Sequence, residues 1–427
     1  MPGERDAVSR RAGPAEDDAG RRSLRPLAGI LAALMVSQTG TRISAIALPW
    51  FVLVTTGSAT RTGLTAFCEM APYVTVKALA GPLVETAGPR TVSWVADAVS
   101  GAVLTLIPLL HALHLLSFWT LSAMVAVIGA ARGPGDLAKE VIVPEAAERG
   151  RVPLERATGL AGTTDRLAST FGPAAGGALI GLAGALTGLV VVSGCFALGS
   201  VAIALGLPRG MGHTPERNAA AGTGYWRRLG EGLVFLREER LLLNLCIVVA
   251  VTNLLDAAFS SVLLPVWARQ SGAGPAGIGL VGSALGIGAV GGSLVAAAVA
   301  HRIPRRPVFF IGFLVAGAPR FLILAAGVPT GAVAAVFAVA GLGAGFLSPI
   351  LGAISFERVP RRLLGRVRGL TDSLAWAGIP LGGLIGGAAV ASVGLVPVLV
   401  TGGAAYFLTT NVAGLRPESR EMDRSRM

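Results

Sequence analysis

Five ionisable residues stand inside long apolar runs: Arg42, Glu69, Lys77, Asp256 and Arg320. A charge at the centre of a bilayer costs about 2.5–3.5 kcal/mol even on the lenient insertion scale, so each needs a partner or a wet cavity. On a rise of about 1.5 Å per residue, Arg42 lies about 22 Å into its apolar segment, and Asp256 lies equally deep in another. Lys77 is near mid-depth, Arg320 is slightly shallower, and Glu69 is two helical turns beyond Lys77. The chemistry such groups offer is proton exchange. Burial and a neighbouring cation act on a carboxylate's proton affinity in opposite senses, so a conformational change can load and unload a proton. Asp256 and Glu69 are the expected proton carriers. Arg42 and Lys77 are expected to pair with them or to hold an anionic part of a cargo. The competing expectation is a static ion pair that fixes helix register, since structural networks perturb titrating groups too.

Gln38, Thr41, Arg42 and Ala45 recur at helical spacing, as do Asn253 and Asp256, so both sets can line one pathway. The cavity candidates are Gln38, Arg42, Lys77, Asn253 and Arg320. Asp97 lies near the end of an apolar segment, within reach of Arg90 or Arg132, and is expected to serve a gate or the stability of the fold. His111 and His114 form an HxxH pair, but a metal site needs further ligands and none stands nearby, which leaves interfacial histidines and no metal. Cys68, Cys195 and Cys246 fall singly in apolar runs, with no CxxC pair. The sequence has no Walker lysine motif, GxSxG, HExxH or paired catalytic carboxylates. The chain is therefore read as neither ATP-driven nor an enzyme, with no cofactor.

The elements that position these groups follow from composition. Hydrophobic residues make up 53% of the 427, and charged residues only 14%, where a soluble domain carries about 25%. Too little polar surface exists to cover a soluble fold of this length, so the solvent is the bilayer. Apolar segments of about 20 residues, the length that spans it, fall near 27–54, 63–84, 91–111, 117–139, 160–183, 187–207, 241–267, 277–300, 307–327, 330–352, 371–391 and 394–414. The result is an all-α membrane protein of about twelve spans.

The net charge of +12 resides in arginines between the apolar segments, which points to membrane topology and anionic lipid rather than nucleic acid. With the N-terminus in the cytoplasm, the cytoplasmic segments carry 31 Lys and Arg, the opposite loops carry two (Arg61 and Arg269), and three lie within spans. That asymmetry places both termini inside. In that count 132–166 is a cytoplasmic segment. The chain also repeats: Thr56-Gly57-Ser58-Ala59 followed by Gly63-Leu64 corresponds to Ser271-Gly272-Ala273-Gly274 followed by Gly279-Leu280. Leu64 to Arg90 and Leu280 to Arg306 are both 26 residues apart. Two parallel six-helix halves account for this. The expected organisation is a cytoplasmic tail 1–26, a bundle 27–207, a cytoplasmic loop 208–240, a second bundle 241–414 and a tail 415–427.

Three motifs carry a resemblance. Ala47-Leu48-Pro49-Trp50 leads to Thr56-Gly57-Ser58. Ser169-Thr170-Phe171-Gly172-Pro173-Ala174-Ala175-Gly176-Gly177 falls in the fifth span. Pro360-Arg361-Arg362-Leu363-Leu364-Gly365-Arg366-Val367 precedes the eleventh. With the paired halves, these resemble the major facilitator superfamily over about 25–415, and more closely its branch of enterobactin exporters and macrolide efflux proteins. The superfamily's loop after the second helix has the pattern Gly-x-x-x-Asp-Arg-x-Gly-Arg-Arg. Here Glu85 and Thr86 stand for the aspartate and first arginine, followed by Gly88, Pro89 and Arg90. The second copy, 300–306, keeps Arg302, Arg305 and Arg306 without the acid.

The resemblance implies gating roles for Glu85, Arg90, Asp97, Arg305 and Arg306, and conformational roles for Gly172, Pro173, Gly176 and Gly177. Pro173 removes a helical hydrogen bond and is expected to bend its helix. Glycine pairs four apart (Gly177/Gly181, Gly282/Gly286, Gly288/Gly292, Gly382/Gly386 and Gly383/Gly387) allow close helix packing or a hinge. The expected function is a secondary active transporter of the bacterial plasma membrane. Export and proton antiport follow from the resemblance, with a drug, antibiotic, siderophore or other secondary metabolite as cargo. Protons and membrane lipids are the other expected partners, and a monomer the expected state. The alternatives are a facilitator or importer of the same fold, or a membrane protein that binds without transporting.

Overall fold

The computed structural model of the chain describes residues 23–208, 211, 234–299, 305–359 and 364–415, and the side chains of Glu85 and Arg305 lie outside the described residues. So do most of the 208–240 loop and the greater part of both tails.

Turn chemistry sets the helix boundaries. Helix α1 (Arg25–Thr56) ends where Gly57 adopts φ +66° and its N–H bonds back to the Leu53 carbonyl. Ser58 then caps α2 (Ala59–Leu79) by accepting from the Arg61 N–H at 3.2 Å. A short helix (Gly81–Ala87) leads into α3 (Pro89–Ala112), and Ser117 caps α4 (Phe118–Gly150) in the same way as Ser58. The stretch Leu154–Gly206 departs from helical dihedrals at Gly184 alone (φ 85°, ψ 162°). It is therefore two antiparallel rods, α5 (154–183) and α6 (185–206).

The second series begins with α7 (Arg240–Gln270), which contains a π-helical turn at Phe259–Leu263. It continues with α8 (Gly274–Val299), α9 (305–325, broken at Gly317), α10 (Thr330–Arg358), α11 (364–393, broken at Gly378) and α12 (Leu395–Leu415). Among the described residues nine helices are long and apolar enough to cross a membrane. Splitting the kinked one gives ten. The more polar α2 and α4 bring the number of membrane-length rods to twelve.

The burial pattern is inverted relative to a soluble protein. Leu205 is 82% exposed while Lys139 is 2% exposed. Apolar side chains face outward because the surrounding medium is hydrocarbon, and the charged ones pack inside against partners.

One sequence expectation is corrected here. The segment 132–166 is not a loop. Helix α4 runs unbroken from Phe118 to Gly150, through Pro134 and Pro144, and α5 begins at Leu154. Arg132 and Lys139, counted as interfacial charges, are buried within α4. They tolerate burial because carboxylates on α2 and α3 meet them.

The first six rods pack on one another, as do the last six, and the halves meet chiefly through two helix pairs, α2 with α11 and α5 with α8. Glycine makes these joints close. A Cβ on Gly177 of α5 would stand 2.5 Å from the Pro275 carbonyl oxygen and 2.7 Å from the Gly279 Cα of α8. Helix α11 uses two glycine faces. Gly382 and Gly386 press on α7 in their own half, and Gly383 and Gly387 meet α2 of the other half. Gly177, Gly279, Gly63 and Gly387 lie toward the ends remote from the termini. There Arg269 of α7 also donates from Nη1 to the Leu53 carbonyl at the end of α1, at 2.9 Å. At Pro173 the α5 backbone keeps helical dihedrals.

Candidate functional site

A cavity of about 330 Å³ lies between the halves. From the first half it is lined by Thr41, Ala45, Leu48 and Pro49 of α1, by Thr62, Thr65, Ala66, Glu69 and Met70 of α2, and by Arg132 of α4. Asn253, Asp256, Ala257, Ser260 and Ser261 of α7 and Ile379 and Gly383 of α11 close it from the other side. The apolar part can take a hydrocarbon or aromatic body, and the hydroxyls and ion pairs can orient polar groups. The π-helical turn begins three residues after Asp256. It carries Ser260 and Ser261, whose hydroxyls donate to the Asp256 and Ala257 carbonyls. Such turns often mark functional sites in helices.

Each half supplies one ion pair to this region. Arg132 Nη1 donates to Glu69 Oε1 at 3.0 Å, with both side chains largely buried. Arg320 Nη2 donates to Asp256 Oδ1 at 2.8 Å; the Asp256 side chain is 38% exposed and that of Arg320 11%. The break in α9 at Gly317 leaves the Ala316 carbonyl to accept from Arg320 Nε, and Phe259 and Tyr406 lie against the guanidinium. Carboxylates in the cavity wall, each balanced by an arginine, can take up and release protons without leaving an isolated buried charge.

The first pair belongs to a ladder. Tyr73 donates its hydroxyl to Asp136 Oδ2 at 3.1 Å, and Lys77 donates to Glu140 Oε1 at 3.2 Å. All three rungs join residues 63 apart. Positions 69, 73 and 77 on α2 therefore face 132, 136 and 140 on α4, one helical turn per rung. Glycine permits the approach: Gly129 abuts the Glu69 carbonyl, and Gly133 abuts Tyr73 and Lys77. Beyond the ladder, Lys139 donates to Asp97 Oδ1 at 2.8 Å, both side chains 2% exposed, and Ser37 donates to Asp97 Oδ2 at 3.0 Å.

The candidates read from the sequence separate accordingly. Glu69, Asp256 and Asn253 line the cavity, where Asn253 also donates to the Ala375 carbonyl at 2.9 Å. Arg320 stands behind Asp256. Gln38, Arg42 and Lys77 are not among the lining residues. Arg42 pairs with Asp165 at 3.2 Å and Lys77 with Glu140, rather than with Glu69 or Asp256. Asp97 is held by Lys139 and Ser37 instead of Arg90 or Arg132. Arg90 donates to the Ala204 and Leu207 carbonyls and so caps the end of α6. Gly172 and Gly176 pack on Arg42 and Ile43 of α1, while Gly177 meets α8. Arg306 lies against the Phe310 ring.

Asp136, Glu140 and Asp165 escaped the sequence reading, which took Arg132 only as a possible partner of Asp97 and Lys139 only as a counted charge. A signal for Asp136 and Glu140 existed, because acids and bases recur at matching four-residue intervals on α2 and α4. No group of three or more metal-ligating side chains occurs among the described residues.

Two six-helix sets around a central cavity walled by paired charges define a polytopic membrane transporter. Comparison with known proteins gives the family. The profile of the Major Facilitator Superfamily matches residues 30–255 and 245–425, and the chain belongs to that superfamily. It is 32% identical over 402 residues to the multidrug efflux pump Tap of Mycobacterium tuberculosis, covering 92% of this chain and 94% of the pump. A protein of the same name from Mycolicibacterium fortuitum is 29% identical over 409 residues, covering 93% and 97%. Among solved structures, the nucleoside transporter NupG superposes with a TM-score of 0.73 at 14% identity, over 92% of this chain and 98% of that one. A POT family transporter gives 0.71 at 13% identity, over 93% and 96%. These two establish the shared fold. The protein is thus a multi-pass transporter of the bacterial inner membrane that moves small molecules.

Proposed function

We propose that the protein exports drug-like small organic molecules in exchange for protons, by alternating access around the central cavity. The observation that carries this reading is the pair of carboxylates, Glu69 and Asp256, one from each half, in the wall of the same cavity. Each has an arginine to hold its charge when the proton leaves. Relatives named multidrug efflux pumps support drug-like cargo. The cavity volume is at the lower end of the about 300–1,000 Å³ common for drug-sized ligands.

We assign both termini to the cytoplasm from the distribution of basic residues, which is 29 to 2 once the buried Arg132 and Lys139 are taken out of the 31. The close Gly177–Gly279 and Gly63–Gly387 contacts then form the closed periplasmic side. The moving units are the bundles 27–207 and 241–414, joined by 208–240. Gly172, Pro173, Gly176 and Gly177 provide the surfaces on which α5 slides. Arg90 and Arg306, with Glu85 and Arg305, serve the cytoplasmic loops. Gln38, Arg42, Lys77 and Arg320 act from outside the cavity wall, and Asn253 within it. The unit is a monomer, with anionic lipid at the basic loops.

The test is uptake into inside-out vesicles under an imposed proton gradient, with a panel of lipophilic drugs and siderophores. Gradient-dependent accumulation of a panel member supports the proposal. Gradient-independent equilibration would make the protein a facilitator, and binding without movement would make it a receptor.

A further inference from the structure

Tyr73 stands where three kinds of contact meet. Its hydroxyl is on Asp136, and the Arg132 guanidinium lies over its ring with Cζ 5.6 Å from the centroid. The same ring stacks on Trp376 of α11, centroids 6.1 Å apart and planes 18° from parallel. Tyr73 belongs to the first half and Trp376 to the second. Both lie about one helical turn from the cavity wall on the termini side, beyond Met70 of α2 and before Ile379 of α11. Lys77, one turn further along α2, places its ammonium 5.1 Å from the Trp376 ring while pairing with Glu140. A cation over an indole face and a near-parallel ring stack are each attractive but individually weak contacts. The joint is therefore strong enough to bias a conformation and weak enough to open.

We propose that the Tyr73–Trp376 stack, braced by Lys77, is the cytoplasm-side gate of the cavity, and that Tyr73 is the positioning residue linking the gate to the charge on Glu69. The inference rests on the orientation and proton coupling proposed above. With Glu69 ionised, Arg132 is shared between Glu69 and the Tyr73 ring, Tyr73 stays on Asp136, and the stack holds. When a proton from the periplasm binds the Glu69 carboxylate, Arg132 loses one of its two anionic neighbours. Asp136, one turn along α4 and already acting on Arg132, is left to take it alone. The Tyr73 hydroxyl competes for that carboxylate, loses it, and the ring leaves Trp376. Release of the proton to the cytoplasm reverses the sequence.

The other charges around this point are Lys139 and Glu140 on α4, Asp97 on α3, Lys77 on α2, and Asp256 with Arg320 across the cavity. Asp372 of α11 lies outside the described side chains.

Spin labels at Leu79 of α2 and Leu374 of α11, in full-length protein with its three cysteines replaced and held in lipid nanodiscs, report the gate directly. No cargo is needed, so the result is independent of whether export of drugs is the right reading. Wild-type gating gives a short, narrow distance distribution at mildly alkaline pH and a longer one at acidic pH. Tyr73→Phe lacks the hydroxyl whose bond to Asp136 holds the ring on Trp376, so it gives the long distance at both pH values. Trp376→Ala gives the long distance at both pH values, and Trp376→Phe, which can still stack, restores the short one. A Tyr73→Phe response equal to wild type would overturn the link to Glu69. A Trp376→Ala protein that closes normally would overturn the gate.

Discussion

Glu69 and Arg132, 63 residues apart in sequence, form the cavity-end rung of a three-rung ladder between α2 and α4, with Nη1 and Oε1 3.0 Å apart. The rungs change character along the ladder: an ion pair, a phenol–carboxylate bond, then a second ion pair. Charge at the cavity is thereby connected, side chain by side chain, to the termini end of the same two helices. Asp256 and Arg320 have no such ladder among the described residues. Their pair is set in an aromatic pocket, next to a π-helical turn. The two halves therefore use the same acid–base pairing in unlike surroundings.

The Lys139–Asp97 pair predicts a stability cost. Both side chains are buried, and Ser37 completes the carboxylate's shell. Removing one partner of a fully buried pair leaves an uncompensated charge and costs about 3–5 kcal/mol. Lys139→Met should lower the thermal unfolding midpoint in detergent sharply, and Lys139→Met with Asp97→Leu should recover most of the loss. A single variant as stable as wild type would refute the structural role.

Asp256→Asn should behave differently. Its side chain is 38% exposed, so water can solvate the change, and asparagine can still accept from Arg320. We expect a destabilisation of about 1 kcal/mol, normal expression and loss of gradient-driven transport. Purified protein yield, melting temperature and vesicle uptake measured together separate these effects. Retained gradient-driven uptake would remove Asp256 from the coupling mechanism.

Gly177→Val tests the joint between α5 and α8. The added side chain would meet the Pro275 carbonyl and Gly279. Overpacking of this kind costs about 1–3 kcal/mol, which shifts an equilibrium about 5- to 150-fold. The variant should favour the form open on the side remote from the termini and transport slowly. Distances between labels on the periplasmic ends of α5 and α8 report the shift. An unchanged distribution would mean the joint is not a moving contact.

How far the sequence foretold this arrangement depended on which signals are local. Span number, the repeat and the depth of Glu69 and Asp256 follow from apolar runs and from the rise of a helix, and these need no knowledge of neighbours. Partners are a different matter. Counting basic residues by loop treats each cation as interfacial, which misplaced Arg132 and Lys139. Their burial depends on Glu69 and Asp97, 63 and 42 residues away. Arg42 and Lys77 have depths compatible with pairing to Glu69 or Asp256, but rotation about the helix axis turns them to Asp165 and Glu140. That rotation is set by glycine contacts such as Gly172 on Arg42 and Gly133 on Lys77, which only the packed bundle reveals.

The most direct test of the account is proton flux driven by cargo. Proteoliposomes holding a trapped pH dye and a proton gradient would receive a compound that the wild-type protein accumulates. Wild type should show proton movement that begins with cargo addition. Glu69→Gln and Asp256→Asn should each abolish it, while both variants still exchange cargo across the membrane in the absence of a gradient. Full cargo-triggered proton flux in both variants would contradict the assignment of the two carboxylates.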